Sequence, residues 1–287
     1  MTAAIPSVSG VAALADRFDL FLVDQYGVLH DGERAFPGAV EALERLVAAG
    51  RAVILVSNSG RRTADNEARL AAIGFPRSSY HGFVSSGEVV WARIARGELP
   101  VAAAGRPLHC LLVNRRGDES AVAGLPLTLV ETGSEADFVL ITGSDGDRLP
   151  LQHYRALLAP AAERRLPCLC ANPDTVMVLP DGTAYGAGRI AALYAALGGP
   201  VTWIGKPHPE IYRFALEEAA RLRPLPPPER IIGIGDSLAH DVAGARRAGF
   251  AAALVTTGIH AGDTPAALAA AMAAHAAPNF LLDRFRW

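Results

Sequence analysis

The chain has 287 residues, of which 51% are apolar and 20% are charged, and its net charge is only −2. This length suffices for one large domain, or for a core domain with an insertion, around a buried core. The near-neutral charge argues against a nucleic-acid partner, and no stretch approaches the roughly 20 strongly apolar residues of a membrane span.

The three cysteines favour a reduced, cytoplasmic setting. They cannot all pair with one another, and Cys168 and Cys170 have no second pair at zinc-ligand spacing. We interpret all three as small buried side chains. The first twenty residues also lack the basic segment followed by an apolar segment that is typical of a secretory signal.

Apolar runs alternate with helical patterns along the chain, which predicts an α/β fold with a mainly parallel, Rossmann-like sheet. Outside the middle of the chain, the predicted strands are Leu20–Asp24, Ala52–Ser57, Val201–Ile204, Arg230–Gly235 and Ala251–Val255. The helical patterns between or after them are Pro37–Ala49, Thr63–Ile73, Pro209–Leu222, Leu238–Ala248 and Pro265–Ala274.

The middle of the chain, residues 78–199, has a strand and helix pattern of its own. Its predicted strands are Leu108–Val113, Phe138–Thr142 and Cys168–Ala171. The segments on either side share one strand–helix rhythm, so an inserted domain is the simplest explanation. We therefore predict a core formed by residues 1–77 and 200–287, with a large α/β domain inserted at 78–199.

Four predicted strands outside the insertion end in or near reactive side chains. In chain order these are Asp24, Ser57 with Asn58, Lys206, and Asp236 with Asp241. Ligands bind beyond the carboxyl ends of strands in open parallel sheets, so these groups would converge if the strands form one sheet. Each also has an ordinary reading as a helix cap, a turn residue or a surface lysine. All four groups in this order are stronger evidence for one shared site than any of them alone.

In this order, the motifs resemble those of the haloacid dehalogenase-like superfamily. They are Asp24-x-x-Gly27-Val28, Ser57-Asn58, Gly205-Lys206-Pro207 and Gly235-Asp236-x-x-x-x-Asp241. The stretches ANPDTVMVLPDG, GAGRI and IGKPHPEIY are similar to class IIA, NagD-like members, which carry a large cap between the second and third motifs. The resemblance covers nearly the whole chain, and it implies that the inserted domain is such a cap.

The resemblance implies a Mg²⁺-dependent phosphohydrolase that acts on a small phosphorylated metabolite. Asp24 would attack phosphorus and form an aspartyl-phosphate, which splits one difficult step into two. Mg²⁺ would be held by Asp24, Asp236 and the backbone carbonyl of Tyr26. This positive charge would offset the repulsion between a carboxylate and a phosphate dianion, which is roughly 8 kcal/mol at about 4 Å and an effective dielectric of about 20.

The same resemblance assigns the remaining motif residues. Lys206 would add positive charge near the phosphate, and Ser57 and Asn58 would donate hydrogen bonds to phosphoryl oxygens. Asp241 would belong to the metal site and orient either Lys206 or a metal-bound water.

Tyr26 departs from the family pattern. Most phosphatases of this superfamily have a second Asp at this position, which protonates the leaving group and then activates water. Such acid–base catalysis is typically worth about 10²–10⁴ in rate, and a phenol with an ordinary pKa of about 10 is a poor base near neutrality. The metal site would survive, because Tyr supplies the same backbone carbonyl. His30 and Asp31 are candidate substitutes or, more simply, loop residues.

Arg189 is a second departure, because Gly188-Arg189 stands where many class IIA members have Gly-Ser. Arg189 would bind an anionic group of the substrate or lie on the surface as an ordinary arginine, and the sequence leaves both readings open. The alternative for the whole protein is a phosphate-ligand binding or regulatory protein with little turnover, which Tyr26 keeps open. A homodimer is also left open.

Overall fold

The structure is a computed structural model that describes residues 5–99, 101, 105–179 and 182–287. Within these residues the chain divides into two compact units. The first unit comprises residues 5–57, 67–84 and 206–287, and the second comprises residues 58–66 and 85–205. That the second unit serves as the cap stays a prediction.

In chain order, the strands of the described residues are β1 (Ser7–Val8), β2 (Leu20–Val23), β3 (Ala52–Ser57), β4 (Gly82–Ser85), β5 (Leu108–Val113), β6 (Leu127–Val130), β7 (Phe138–Ile141), β8 (Cys168–Cys170), β9 (Val176–Leu179), β10 (Gly182–Tyr185), β11 (Val201–Trp203), β12 (Ile231–Gly235), β13 (Ala251–Val255) and β14 (Phe280–Leu282). The helices are α1 (Ala12–Ala15), α2 (Ala39–Ala48), α3 (Thr63–Ala72), α4 (Ser86–Ala95), α5 (Leu151–Glu163), α6 (Ala187–Ala196), α7 (Pro209–Ala220), α8 (Ala243–Arg247) and α9 (Pro265–Ala274).

The first unit is built on a seven-stranded sheet in the order β1-β14-β13-β12-β2-β3-β4. The interior strand β2 is buried along its whole length, as expected for a parallel strand covered on both faces. On one face, Phe21 and Val23 belong to a core cluster with Leu43 and Leu46 of α2. The predicted α/β class with mainly parallel strands is therefore confirmed.

Two glycines of β12 let other elements approach this strand closely. A Cβ at Gly233 would lie 2.7 Å from the Cβ of Ala245, which lies in α8. A Cβ at Gly235 would collide with the side chain of Asp241, which lies in a π-helical turn, Leu238–Val242, just before α8. The absence of a side chain at Gly235 thus allows Asp241 to lie beside the carboxyl end of β12.

The second unit has a five-stranded parallel sheet in the order β11-β8-β7-β5-β6, with a separate antiparallel hairpin formed by β9 and β10. Helices α5 and α6 contribute Leu158, Ile190 and Tyr194 to its core. Tyr194 is fully buried, and its hydroxyl donates to the carbonyl of Leu166 at 2.7 Å.

The sheet assignment of one strand is a correction to the sequence prediction. The strand predicted at Val201–Ile204 forms as β11 but pairs with β8, Val201 opposite Cys168, so the prediction that it joins the core sheet is wrong. Conversely, β4 lies in the seven-stranded sheet, although the sequence predicts that residues 78–84 belong to the insertion. Strands this short contain too little sequence to specify a partner, and tertiary packing decides the pairing.

The three cysteines are buried and unpaired, as predicted. Among the residues that the structure describes, no helix is both long enough and apolar enough to cross a membrane.

Candidate active site

Three carboxylates meet at the carboxyl edge of the first unit's sheet. Asp24 directly follows β2 and Asp236 directly follows β12, and these neighbouring strands pair in parallel, with Val23 opposite Ile234. Asp241 reaches the same place from the π-helical turn. One carboxylate oxygen from each Asp lies within 4.8 Å of the others. So compact a group of hard oxygen ligands is suited to a small divalent cation.

Lys206 lies between two of these carboxylates. Its Nζ is 2.6 Å from Oδ1 of Asp24 and 2.7 Å from Oδ1 of Asp241, and it donates to the carbonyl oxygen of Val56 at 3.0 Å. The residue is only 4% exposed. Lys206 therefore joins the acids that the motif order places with it, although the strand before it belongs to the other sheet.

Both carboxylate oxygens of Asp241 have partners within the protein. Oδ1 pairs with Lys206, and Oδ2 accepts a hydrogen bond from the backbone N–H of Ser237 at 3.1 Å. The side chain is therefore held firmly, with its charge directed at the ammonium group. Of the two roles that the sequence leaves open for Asp241, this geometry suits the orientation of Lys206.

The cluster holds three acids and one ammonium group, and the pKa values of Asp24, Asp236 and Lys206 are shifted. Burial raises the pKa of Asp24 to about 7, although the charge of Lys206 acts in the opposite direction. Burial and the charges of Asp24 and Asp241 also raise the pKa of Asp236 well above its usual range. Burial lowers the pKa of Lys206, but the two neighbouring carboxylates outweigh it and the net shift is upward. Additional positive charge would stabilise the ionised acids.

The loop after β13 contacts Asp236 and fixes its position. The backbone N–H of Ile259 donates to Oδ2 of Asp236 at 2.9 Å, and the hydroxyl of Thr257 donates to the carbonyl oxygen of Gly27 at 2.7 Å. A Cβ at either Gly27 or Gly258 would lie closer to Asp236 than van der Waals contact allows. Gly27 also has a positive φ of 79°. The position of Asp236 thus depends on two residues without side chains.

Tyr26 lies two residues after Asp24, with 39% of its surface exposed. Its ring packs edge-on against His30, with the centroids 5.8 Å apart, and a Cβ at Gly32 would lie 3.0 Å from the ring. Burial and the charges of Asp31 and Asp236 raise its pKa. The side chain is therefore a neutral phenol at physiological pH.

His30 and Asp31 both accept hydrogen bonds from the backbone of their own loop. Nδ1 of His30 accepts a hydrogen bond from the backbone N–H of Gly32 at 2.9 Å, and burial lowers the pKa of His30 to about 4. Oδ1 of Asp31 accepts from the backbone N–H groups of Glu33 and Arg34, which lower the pKa of Asp31. Neither residue carries an ionisable proton near neutral pH, so neither has the character of a general acid.

Ser57, the last residue of β3, has a partner that the sequence did not point to. Its Oγ accepts a buried hydrogen bond of 2.7 Å from Nε2 of Gln25, the residue next to Asp24. The register of the sheet could have indicated this contact. Val23 lies opposite Leu55, so two further residues on each strand bring Gln25 beside Ser57.

Two predicted ligand-binding residues belong to the second unit. Asn58 donates from Nδ2 to Oδ1 of Asp174 at 2.8 Å. Arg189 lies in the first turn of α6, with its side chain exposed. The cluster in the first unit thus brings together Asp24, Lys206, Asp236 and Asp241, with Ser57 at the end of the neighbouring strand. The charge of Asp236 also acts on Tyr26.

Two sequence models of protein families match the chain. Residues 21–117 match a model described as haloacid dehalogenase-like hydrolase, and residues 203–286 match a model described as HAD-hydrolase-like. The matched segments contain Asp24, Ser57, Lys206, Asp236 and Asp241.

Individual proteins are similar over most of the chain. Chronophin of Rattus norvegicus is 31% identical and covers 91% of this chain and 84% of its own. A haloacid dehalogenase-like hydrolase of Brucella suis 1330 has a structure with a TM-score of 0.81 and 32% identity, covering 97% of this chain and 99% of its own. The p-nitrophenyl phosphatase of Archaeoglobus fulgidus has a TM-score of 0.71 and 25% identity, covering 93% of this chain and 96% of its own.

Proposed function

The chain belongs to the haloacid dehalogenase-like hydrolases, and we propose that it is a phosphatase that acts on a small phosphorylated metabolite. The observation that carries the proposal is Lys206, whose Nζ bridges Asp24 and Asp241 in a cluster that also contains Asp236. Membership of the family and the similarity to a p-nitrophenyl phosphatase support the same class of reaction.

In the proposed reaction Asp24 is the nucleophile. A carboxylate oxygen of Asp24 forms a bond to phosphorus while the bond from phosphorus to the leaving-group oxygen breaks, and the leaving group departs as an oxyanion that takes its proton from water. Water then hydrolyses the aspartyl-phosphate, which releases inorganic phosphate and restores Asp24. The hydrogen bond from Lys206 to Oδ1 supports this role, because it fixes the orientation of the carboxylate.

We propose that Mg²⁺ is held by Asp24, Asp236 and the backbone carbonyl of Tyr26. The compact set of oxygen donors fits a hard divalent cation. Burial raises the pKa of Asp24 to about 7, so a bound cation would favour its ionised form. When bound, the ion would supply charge that offsets repulsion between Asp24 and the phosphate. Asp241 orients Lys206, since both of its oxygens have partners.

The remaining assignments concern the substrate. Ser57 and Asn58 donate hydrogen bonds to phosphoryl oxygens, and residues of the second unit, acting as a cap domain, select the leaving group. Arg189 binds an anionic part of the substrate or lies on the surface, and its exposure is compatible with both. The buried free thiols support a reducing, cytoplasmic setting. A homodimer remains open.

A screen of phosphorylated metabolites with Mg²⁺ tests the proposal directly, with release of inorganic phosphate as the measurement. A second candidate is a phosphate-binding protein with little turnover. It is favoured by the absence of an acid at Tyr26, together with the loop roles of His30 and Asp31. Tight phosphate binding without release of phosphate from any substrate would select this second function.

Mg²⁺ is expected to stabilise the protein more at pH 8 than at pH 5. The carboxyl of Asp24 has a folded-state pKa of about 7 against an ordinary value of 3.8, so its contribution to stability is present below about pH 4 and is lost as pH rises to 7. A cation relieves this loss only where the acid is ionised. At about 100 times its Kd, the ion should raise Tm by about 5–10 °C at pH 8.

Thermal unfolding at matched ionic strength, with and without MgCl₂, measures this effect. Asp236→Asn is the control variant, in which the shift should shrink at pH 8. Equal increases in Tm at the two pH values would show that Mg²⁺ binding does not displace a proton from this cluster.

Gly258→Ala is expected to weaken Mg²⁺ binding about 10- to 100-fold, the range typical of changes next to metal ligands. The new methyl group would displace Asp236, whose Oδ2 lies against this glycine. Titration calorimetry with MgCl₂ gives the Kd. Gly262→Ala is the matched control in the same loop. Its Cβ meets no atom within 4 Å, and its positive φ of 88° should cost stability but not metal affinity. Unchanged Mg²⁺ affinity in Gly258→Ala would show that Asp236 is not a ligand of the metal.

A further inference from the structure

Gln25 occupies an unusual place for a long polar side chain. It lies between Asp24 and Tyr26 and is only 9% exposed. In the parallel register of β2 and β3, Val23 lies opposite Leu55. Because side chains alternate along a strand, Gln25 and Ser57 follow this pair on the same face of the sheet. The fold therefore brings the amide next to the serine hydroxyl.

Gln25 also joins the segments that carry Asp24 and Ser57. Its backbone N–H forms a hydrogen bond with the carboxylate of Asp24. Its backbone carbonyl accepts from the N–H groups of Leu29 and His30 at 2.8 and 3.2 Å. With its backbone held in this way, the side chain has little freedom, and Nε2 donates to Oγ of Ser57 at 2.7 Å.

The direction of this hydrogen bond constrains the serine hydroxyl. A hydroxyl has one proton to donate and two lone pairs that accept. Because the amide N–H of Gln25 occupies a lone pair of Ser57, the hydroxyl proton of Ser57 must be directed to an acceptor other than this amide nitrogen. An amide at position 25 thus allows Ser57 to act as a donor, whereas a carboxylate there would accept the Ser57 proton.

We propose that Gln25 is a positioning residue that holds the Ser57 hydroxyl as a hydrogen-bond donor to a phosphoryl oxygen of the ligand. This inference rests on the proposed function, in which Ser57 contacts the phosphoryl group. Gln25 itself does not touch the substrate and acts through Ser57. The role requires a donor at position 25, so neither an apolar side chain nor a carboxylate of the same length can replace the glutamine.

A double-mutant cycle between positions 25 and 57 tests the inference. Gln25→Met keeps the length of the side chain and removes the donor. It should weaken binding of inorganic phosphate in the presence of Mg²⁺ about 3- to 10-fold, the usual effect of one hydrogen bond. In a Ser57→Ala background the same change should have an effect of less than about 2-fold. Titration calorimetry measures the Kd, and p-nitrophenyl phosphate kinetics should show the same loss in kcat/KM.

Gln25→Glu provides a test of direction. Its carboxylate accepts the Ser57 proton, which turns the serine lone pairs towards the phosphate. The loss in phosphate affinity should therefore exceed that of Gln25→Met, and the part that acts through Ser57 should disappear in the Ser57→Ala background. The residual effect in that background measures the charge of the new carboxylate alone.

The possible failures are distinguishable. Equal losses from Gln25→Met in the natural and the Ser57→Ala backgrounds would overturn the inference and leave the phosphatase proposal intact, since Gln25 would then matter only for folding. Wild-type protein that neither binds phosphate nor hydrolyses any phosphoester would reject the proposed function, and the role of Gln25 with it. Measured Tm values of all variants show whether a loss of binding reflects unfolding.

Discussion

Asp24→Asn is expected to remove phosphatase activity, with a loss on the order of 10⁴-fold or more, as is usual when a nucleophile is deleted. The amide cannot attack phosphorus, although its oxygen can still accept the hydrogen bond from Lys206. The fold should be kept, because the neutral amide avoids the cost of burying a charge, the same cost that raises the pKa of Asp24 to about 7.

Steady-state release of phosphate measures this effect, and Tm reports on the fold. Asp31→Asn is the matched control, because Asn retains the oxygen that accepts from Glu33 and Arg34. Turnover in that variant should stay within about 3-fold of the natural protein, as is common for changes that leave a loop hydrogen bond in place. Full activity in Asp24→Asn would mean that a different residue is the nucleophile.

Tyr26→Asp is expected to raise turnover of alkyl phosphates by up to about 10², if the new carboxylate is well placed. The natural protein has a neutral phenol at this position, and the neighbouring His30 and Asp31 are engaged in the loop. A leaving group that needs protonation should therefore react slowly. Aryl and acyl phosphates, whose leaving groups need no proton, should react faster than alkyl phosphates in the natural protein.

Kinetics of both proteins on p-nitrophenyl phosphate and glycerol phosphate provide the comparison. Tyr26→Phe keeps the ring that packs on His30 and removes only the hydroxyl, so it should behave like the natural protein. If the natural protein hydrolyses glycerol phosphate efficiently and both substitutions slow it, the phenol or a group beside it is the working acid.

Much of the fold could be predicted because strong local patterns coincide with elements. The predicted strands Ala52–Ser57 and Ala251–Val255 have the observed bounds, and so has the helix Pro265–Ala274. Each is a continuous apolar run bordered by turn-forming or polar residues. The convergence of Asp24 and Asp236 could be predicted because parallel strands of one sheet bring their carboxyl ends to one edge. Lys206 joins them as motif order indicates, although the strand before it pairs in the other sheet.

Other features depend on contacts that no local pattern records. Strand β1 has two residues and exists only because it pairs with β14 near the other end of the chain. The partner of Ser57 could not be read from its own neighbours, because Gln25 lies 32 residues away. The sequence identifies His30 only as a loop residue or a candidate acid–base group, and it is mainly burial in the folded chain that lowers its pKa to about 4.

Lys206 is the only lysine in the chain, and the other 26 of its 27 basic side chains are arginines. It is also buried and held between two carboxylates. An amine-acylating reagent would therefore find no reactive side-chain amine on the folded protein. Acylation of Lys206 therefore reports unfolding at one known site, and mass spectrometry detects it as a single mass shift. Lys206 is thus the one position in this sequence where a compact ammonium group, and not a planar guanidinium group, supplies the positive charge.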